Sequence, residues 1–302
     1  MKNLLKRLQP EDIVALIFSL ITLTLFILKA CFSGVIFTGI WTSYYFFLIP
    51  FLLLTIKESI SFFFDSNPAF SGFIRIFRDW FPFLLILGLY YSFYDGLNYF
   101  ISHNDMDHLL AKADEFLFGV QPSVFLEPLT RFSLLVSWSS FAYLSFIFIP
   151  PFIAFYLYFK KEYFDFKITM LAAMFLQAIG CIGYILIPAI GPGYAFPEWY
   201  STTISGSSIT HFTKDFINTA RITRDCFPSL HAGLSALFFF SLFKNHKKMF
   251  FLLIPLILSL WFSCVFLRYH YLVDIIAGIM LAFISRSITY RLFSESYRRT
   301  YG

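Results

Sequence analysis

The amino-acid sequence predicts an all-α integral membrane protein with about eight transmembrane helices. Of its 302 residues, 58% are hydrophobic and 14% are charged, whereas about 25% of the residues in a soluble domain are charged. The hydrophobic residues also fall into eight long apolar segments, and a transmembrane helix needs about 20 such residues. These observations exclude a soluble domain as the main part of the chain.

The predicted spans begin close to the N-terminus. They cover residues 13–30, 41–56, 81–100, 133–159, 168–187, 229–243, 249–267 and 271–290. No small-residue cleavage site follows the first apolar segment, so we interpret it as a retained span and not as a cleaved signal peptide. The segments at 41–56 and 229–243 are short for a span.

The distribution of Lys and Arg residues predicts how the spans are oriented. With the N-terminus in the cytoplasm, 16 of the 23 Lys and Arg residues fall in cytoplasmic segments and 7 fall outside. Lys and Arg are enriched in cytoplasmic loops, so both termini are expected in the cytoplasm. The same topology explains the net charge of +5 without nucleic-acid binding.

Two segments on the predicted outer face are long enough to carry structure of their own. The first contains an amphipathic stretch at residues 107–118, which we expect to lie along the membrane interface. The second, residues 189–227, is a polar loop that leads directly into a histidine motif.

That motif, Phe-Pro-Ser-Leu-His at residues 227–231, predicts the start of a helix that can bind an anion. Pro228 suits a first helical turn, where its missing N–H costs nothing. The free N–H groups and the positive dipole of the turn would face the anion. Ser229 adds a hydroxyl donor, and His231 could protonate a leaving oxygen on a bound phosphate. The alternative is a helix start with an interfacial histidine.

A second motif places a carboxylate four residues after a histidine, at His270 and Asp274. On a helix this spacing puts both side chains on one face. A carboxylate on one ring nitrogen fixes the tautomer and leaves the other nitrogen free to attack phosphorus. Asp274 also begins an apolar helix, where an ionisable residue usually has a partner or a function. The predicted topology puts both histidine motifs on the outer face.

The two motifs together resemble the second and third signatures of the type-2 phosphatidic acid phosphatase superfamily. The leucine in the first motif, and Pro-Ala-Ile-Gly-Pro-Gly-Tyr at residues 188–194, resemble its inositol phosphorylceramide synthase branch. The resemblance implies a six-helix catalytic core over residues 81–290. Two extra helices and a cytoplasmic loop would precede it at 1–80, and a basic tail would follow at 291–302.

The resemblance also implies a role for each residue of the candidate triad. His270 would attack phosphorus and carry a phosphohistidine, and Asp274 would orient it. His231 would protonate the leaving group and then deprotonate the incoming water or alcohol. Neither a metal nor another cofactor is required, because cationic side chains and backbone N–H groups would meet the phosphate charge.

The four cysteines give no sign of a metal or disulfide framework. Cys31, Cys181, Cys226 and Cys264 show no Cys-x-x-Cys spacing.

The sequence departs from the phosphatases in the residues that hold phosphate. Their first signature, Lys-x6-Arg-Pro, is absent, since no Lys or Arg lies between Lys167 and Lys214. In their third signature a serine seven residues before the histidine is present as Ser263, but Cys264 stands in place of the arginine that follows it. The phosphate-binding side chains are therefore expected among the other outer residues, and the candidates are Ser229, Arg268, Arg224 and Arg221.

Two enzymatic functions and one non-enzymatic function are compatible with these residues. The first is a phosphotransferase that moves a phosphate-containing group from a lipid phosphoester to a polyol or lipid alcohol. The second is a lipid phosphate or diphosphate phosphatase, in which water is the acceptor. The third is a transporter or non-catalytic membrane protein, although the chain shows no repeated halves. The missing Lys/Arg signature favours the first.

Overall fold

The computed structural model describes residues 9–33, 76–81 and 104–301, and the regular structure within these ranges is helical. The helices are α1 Pro10–Ser33, α2 Asp107–Phe118, α3 Pro122–Phe125, α4 Ser133–Leu144, α5 Ile149–Phe159, α6 Tyr163–Leu186, α7 Pro192–Ala195, α8 Ser208–Ala220, α9 Leu230–Ser241, α10 Lys247–Phe266 and α11 Leu272–Tyr301. Short 3-10 helices follow α3, α4 and α7 at Glu127–Arg131, Ser145–Ile147 and Pro197–Trp199. Residues 76–81 are also helical.

Three helices in the described part of the chain, α6, α10 and α11, are long and apolar enough to cross a membrane. The pair α4 and α5 forms a fourth candidate if it is counted as one span. Helix α9 has 12 residues, fewer than the about 20 that a span needs. The helical structure and the three or four candidate spans agree with the predicted all-α membrane architecture. The count of eight stays a prediction, because residues 41–56 and 82–100 lie outside the described ranges.

The predicted span at residues 133–159 is a broken helix. Its halves, α4 and α5, meet at an angle of 50°. The break has a local cause, because Pro150 and Pro151 open α5 and lack the N–H groups that would continue the hydrogen bonds of α4. The bend leaves space that is lined by residues of α4, α5 and α9.

Helix α6 lies at the centre of the bundle, with α1, α5, α9 and α11 packed against it. Small residues on α6 allow the close approach. A Cβ atom at Gly183 would collide with the Pro228 ring, so the segment before α9 rests directly on the α6 backbone. This contact sets where the first histidine motif lies.

The amphipathic stretch at residues 107–118 forms helix α2, as predicted. Its buried face includes Leu110 and two carboxylates, Asp107 and Asp114, while Phe116 is 87% exposed. Helix α2 packs against the start of α11. An element expected only at the membrane interface therefore also supports the second histidine motif.

Candidate active site

The two histidine motifs meet where α9 crosses α11. A Cβ atom at Gly278 would collide with the Ser229 carbonyl, so only glycine allows this separation of the backbones. At the crossing, Ser229 N–H donates to the Asp274 carbonyl over 3.2 Å. The structure therefore brings His231, His270 and Asp274 together, although 39 residues separate the two histidines.

The hydrogen bonds of His270 determine which ring nitrogen carries its proton. Nδ1 lies 3.1 Å from the Cys226 carbonyl oxygen, which can only accept. Nδ1 is therefore the protonated nitrogen, and Nε2 keeps its lone pair. That lone pair points at His231 Nδ1, 3.3 Å away. The geometry thus leaves Nε2 of His270 unprotonated and facing a second histidine.

The tautomer of His231 follows from its two hydrogen bonds. Since His270 Nε2 accepts, His231 Nδ1 is the donor of that bond. His231 Nε2 then accepts from the hydroxyl of Tyr143 over 3.1 Å. The chain of donors runs from Tyr143 through His231 to His270 and ends on the Cys226 carbonyl. Tyr143 is a site residue that the sequence analysis missed, because a tyrosine within an apolar helix carries no signal of its own.

Asp274 is completely buried behind His270. Its Oδ2 lies 3.5 Å from His270 Nδ1 and accepts from the Tyr271 N–H over 2.9 Å. The thiol of Cys226 also donates to Oδ2 over 2.8 Å. Asp274 Oδ1 has no hydrogen-bond partner within the described part of the chain. The predicted contact between Asp274 and His270 is therefore present. However, α11 begins only at Leu272, so the two side chains do not share one face of a helix.

Cys226 lies against both members of the second motif. Burial raises the pKa of its thiol well above the ordinary value, and the nearby Asp274 carboxylate raises it further. The group is therefore a protonated thiol at neutral pH, in agreement with its donation to Asp274.

A cavity of about 540 Å³ opens beside the two histidines. Its walls are mostly apolar and include Leu144, Pro150, Leu234 and Phe238, which come from α4, α5 and α9. The bend between α4 and α5 contributes one side. The polar and charged lining residues include Arg221 and Asp225, which follow α8, and Tyr194 of the short helix α7. The cavity therefore combines a long apolar part with a small polar region that contains both imidazoles.

The three arginines proposed from the sequence have different surroundings. Arg221 lines the cavity and stacks on the Tyr194 ring at 3.9 Å. Arg224 is buried and donates to Asp105 over 2.6 Å. Of the three, Arg221 is the one placed beside the imidazoles.

Arg268 is not among the residues that line the cavity. Its guanidinium donates to the Thr202 carbonyl over 2.8 Å, contacts Glu127 at 3.5 Å and stacks on the Tyr200 ring at 3.9 Å. These contacts tie the 3-10 segment Glu127–Arg131 to the loop that precedes α11.

Ser229 and Pro228 also differ in detail from the expected helix start. The helix begins at Leu230, so Pro228 precedes the cap and does not open the first turn. Ser229 is the N-cap, and its hydroxyl accepts from the Ala232 N–H over 3.3 Å. Ser229 is also fully buried. Its hydroxyl oxygen therefore caps the helix.

Two carboxylates on α2 hold the site loops in place, and the sequence analysis did not identify this role. Asp114 accepts from the N–H groups of Leu272 and Val273 over 2.9 and 2.8 Å, and so caps α11 from a separate helix. Burial raises the pKa of Asp114 to about 6. Asp107 holds the loop at Gly191 over 2.9 Å and also accepts from the Tyr271 hydroxyl. Their spacing of seven residues, two helical turns, was the available signal.

Comparison with known proteins identifies the same region. The profile of the PAP2 superfamily matches residues 108–288, more than half of the chain. The inositol phosphorylceramide synthase catalytic subunit AUR1 of Saccharomyces cerevisiae is 38% identical over 79 residues, which are 25% of this chain and 19% of the yeast protein. The matched part thus spans about a fifth of that relative. No solved structure matches the chain.

Proposed function

Since the chain belongs to the PAP2 superfamily of membrane phosphatases and phosphotransferases, we propose that it is a phosphotransferase that acts on lipid phosphoesters through a phosphohistidine. A phosphate-containing group would move from a lipid donor to His270 and then to an alcohol. The observation that carries this proposal is the unprotonated His270 Nε2, which faces an N–H of His231 at the wall of an apolar cavity.

The first half-reaction follows from the donor chain. His270 Nε2 attacks phosphorus, and the bond between phosphorus and the leaving oxygen breaks. A phosphate anion that enters between the two rings replaces the His231–His270 hydrogen bond and favours a second proton on His231. The imidazolium of His231 would then protonate the leaving oxygen through Nδ1 and become a neutral imidazole. Asp274 Oδ2 stabilises the positive charge that develops on the ring of His270.

The second half-reaction uses the same groups in reverse. His231, now a neutral imidazole, accepts a proton from the acceptor hydroxyl as the acceptor oxygen attacks phosphorus. The bond from phosphorus to His270 Nε2 breaks, and both histidines return to their starting protonation. Each step therefore conserves protons, and each requires only residues that the site contains.

The charge of the phosphate group would be met by Arg221. It is the arginine that lines the cavity, whereas Arg224 and Arg268 already engage carboxylates. This reading keeps Arg221 as the first candidate for phosphate binding among the four residues predicted. Ser229, Arg224 and Arg268 would support the loops around the site.

The apolar cavity supports a lipid donor, and the yeast relative supports an alcohol acceptor. An inositol phospholipid and a ceramide are the first pair to test, because that relative is named as the catalytic subunit of an inositol phosphorylceramide synthase. Water is the alternative acceptor, which would make the protein a lipid phosphate phosphatase. The placement of the site on the outer face of the membrane is part of the proposal and rests on the Lys and Arg distribution.

The test uses the purified full-length protein in detergent and donor lipids labelled at phosphorus. We expect transfer of the label to the added alcohol, and a phosphoenzyme that is labile to acid and stable to base in the wild type but absent from His270→Ala. Rapid release of inorganic phosphate from a lipid phosphate without alcohol would favour the phosphatase. Full turnover by both His270→Ala and His231→Ala would rule out the phosphohistidine mechanism.

A further inference from the structure

His270, the candidate nucleophile, and two neighbouring side chains offer metal-ligand atoms that lie close together. Cys226 Sγ, His270 Nδ1 and an Asp274 oxygen lie within 4.8 Å of one another, and all three residues are buried. The cluster comes from a loop and from the start of α11, so no Cys-x-x-Cys spacing marks it in the sequence. No metal site was predicted from the sequence. The three residues come together only in the folded protein.

Two of the three separations agree with those of a tetrahedral zinc ion. Zinc bonds of about 2.3 Å to sulphur and about 2.0–2.2 Å to nitrogen or oxygen place tetrahedral ligands about 3.4–3.6 Å apart. The Cys226 Sγ–His270 Nδ1 distance is 3.6 Å, and the His270 Nδ1–Asp274 Oδ2 distance is 3.5 Å. The Cys226–Asp274 pair, at 2.8 Å, is held closer by the S–H···O bond that zinc would replace.

We propose that Cys226, His270 and Asp274 form an inhibitory zinc site. Binding would displace the thiol proton to solvent, leaving one thiolate, one carboxylate and one neutral imidazole around a divalent ion. The charges then cancel, which favours the complex in a buried site. Thiolate and imidazole ligands select zinc over magnesium and calcium. The buried Asp274 Oδ1, without a hydrogen-bond partner in the described residues, offers a further ligand atom.

Zinc at this site would block the nucleophile through its tautomer. The ion needs the lone pair of His270 Nδ1, so the proton that Nδ1 now donates to the Cys226 carbonyl must move to Nε2. A protonated Nε2 has no lone pair with which to attack phosphorus. Zinc and phosphoryl transfer therefore exclude each other at one imidazole.

The cavity gives the ion a route to the site. Cys226 and His270 both line it, so an ion that enters beside Arg221 and Asp225 reaches the sulphur and the ring without opening the helix bundle. Asp274 completes the site from behind. The fourth ligand would be a water molecule on the cavity side, as in other zinc sites with three protein ligands.

Metal binding is tested first, because it does not depend on the proposed function. We titrate the full-length protein in detergent with cobalt(II), which reports thiolate ligands through its charge-transfer absorption, and then displace it with zinc. The band is expected in the wild type and in Cys181→Ser, whose cysteine is buried elsewhere. It is expected to disappear in Cys226→Ser, which keeps a hydroxyl donor for Asp274. A protein that gives no thiolate band, or a band that survives Cys226→Ser, would overturn the site.

A variant that leaves Cys226 in place guards against misfolding. In the triple variant Cys31→Ser, Cys181→Ser, Cys264→Ser, Cys226 is the one cysteine that remains. The thiolate band must persist there with one cobalt per chain, and its loss would also overturn the site.

The inhibitory role rests on the proposed function and is measured separately. Zinc should reduce phosphoryl transfer in the wild type, and Cys226→Ser should weaken that inhibition by about 100-fold relative to its own zinc-free rate. Zinc that binds through Cys226 without slowing transfer would disprove the inhibition and leave the binding site intact. If no phosphoryl transfer is found with any substrate, the cobalt spectra still decide the site.

Discussion

Two clusters of buried polar side chains lie near opposite ends of helix α6, roughly 20 Å apart along its axis. One surrounds Lys167, whose ammonium pairs with Glu11 at 3.2 Å and Asp79 at 3.1 Å. The other is the histidine site that packs against the far end of the helix. Both are buried and both involve ionisable groups, so burial and charge do not distinguish them.

What distinguishes them is an unprotonated ring nitrogen beside open space. The Lys167 cluster is enclosed, with each of its three side chains less than 7% exposed, and its one cation is paired with two carboxylates. In the histidine site, His270 Nε2 keeps a lone pair at the wall of a cavity. The first cluster is suited to hold helices together, and the second is suited to chemistry. Variants should therefore separate loss of activity from loss of stability.

Apart from loss of the proposed nucleophile His270, the largest effect on activity is expected from His231→Ala. Removal of a general acid lowers the rate by about 10²–10⁴-fold, while the unfolding temperature should change little. A nitrophenolate leaving group needs no proton in the first half-reaction. The first-turnover release of nitrophenolate by His231→Ala should therefore stay close to that of the wild type, while the second half-reaction still lacks its base. The exposed His211, changed to Ala, is the control. An equal loss of first-turnover rate on the lipid and nitrophenyl donors would show that His231 is not the acid.

The reverse pattern is expected from Lys167→Met. It leaves Glu11 and Asp79 buried without their cation, which costs about 3–5 kcal/mol. The midpoint of thermal unfolding in detergent should fall, while kcat per folded molecule should stay unchanged. The exposed Lys244, changed to Met, should alter neither. A large loss of kcat without loss of stability would remove the distinction between the clusters.

A pair of arginines tests the same distinction beside the site. Arg221→Gln should raise the KM for the phosphorylated donor by about 10- to 100-fold, the loss of one charged hydrogen bond. Arg268→Gln should instead lower the free energy of unfolding by about 2 kcal/mol, because its partners are Glu127 and Thr202. If only Arg268→Gln raised the KM, Arg268 and not Arg221 would be the arginine that binds phosphate.

The pH dependence of stability reports on Asp114. Its pKa is raised from 3.8 to about 6 in the folded protein by burial, so the folded state binds a proton more tightly than the unfolded state. The stability that this provides is complete below the unfolded pKa and is lost as pH rises through 6. From about pH 5 to about pH 7.5, the wild type should lose about 1 kcal/mol more than Asp114→Asn. The control is Asp215→Asn, and equal pH slopes for wild type and Asp114→Asn would contradict the raised pKa.

The smallest effect is expected from Tyr143→Phe, which removes the donor to His231 Nε2. We expect kcat to fall by about 10-fold, equivalent to one hydrogen bond, with KM and thermal stability unchanged. Tyr156→Phe is a matched control, because Tyr156 contacts His246 in the same way at 3.3 Å away from the cavity. Equal effects of the two substitutions would exclude a specific role for Tyr143.

Local patterns in the sequence accounted for contacts between residues that are close together in the chain. The spacing of His270 and Asp274 predicted their contact, and the amphipathic period of residues 107–118 predicted helix α2. The partners of the arginines could not be obtained in this way. Arg268 and Glu127 are 141 residues apart, and no pattern near either residue indicates the other.

The sequence by itself determined that this is a helical membrane protein, and it marked two histidines and a carboxylate as one candidate site, because hydropathy and helical period are local properties. Only the tertiary structure decided that Cys226 fixes the tautomer of His270, that Tyr143 faces His231 and that a bent helix opens a cavity beside them. These features arise where distant segments pack at van der Waals distance. Hydrogen-bond direction then depends on which groups happen to meet there.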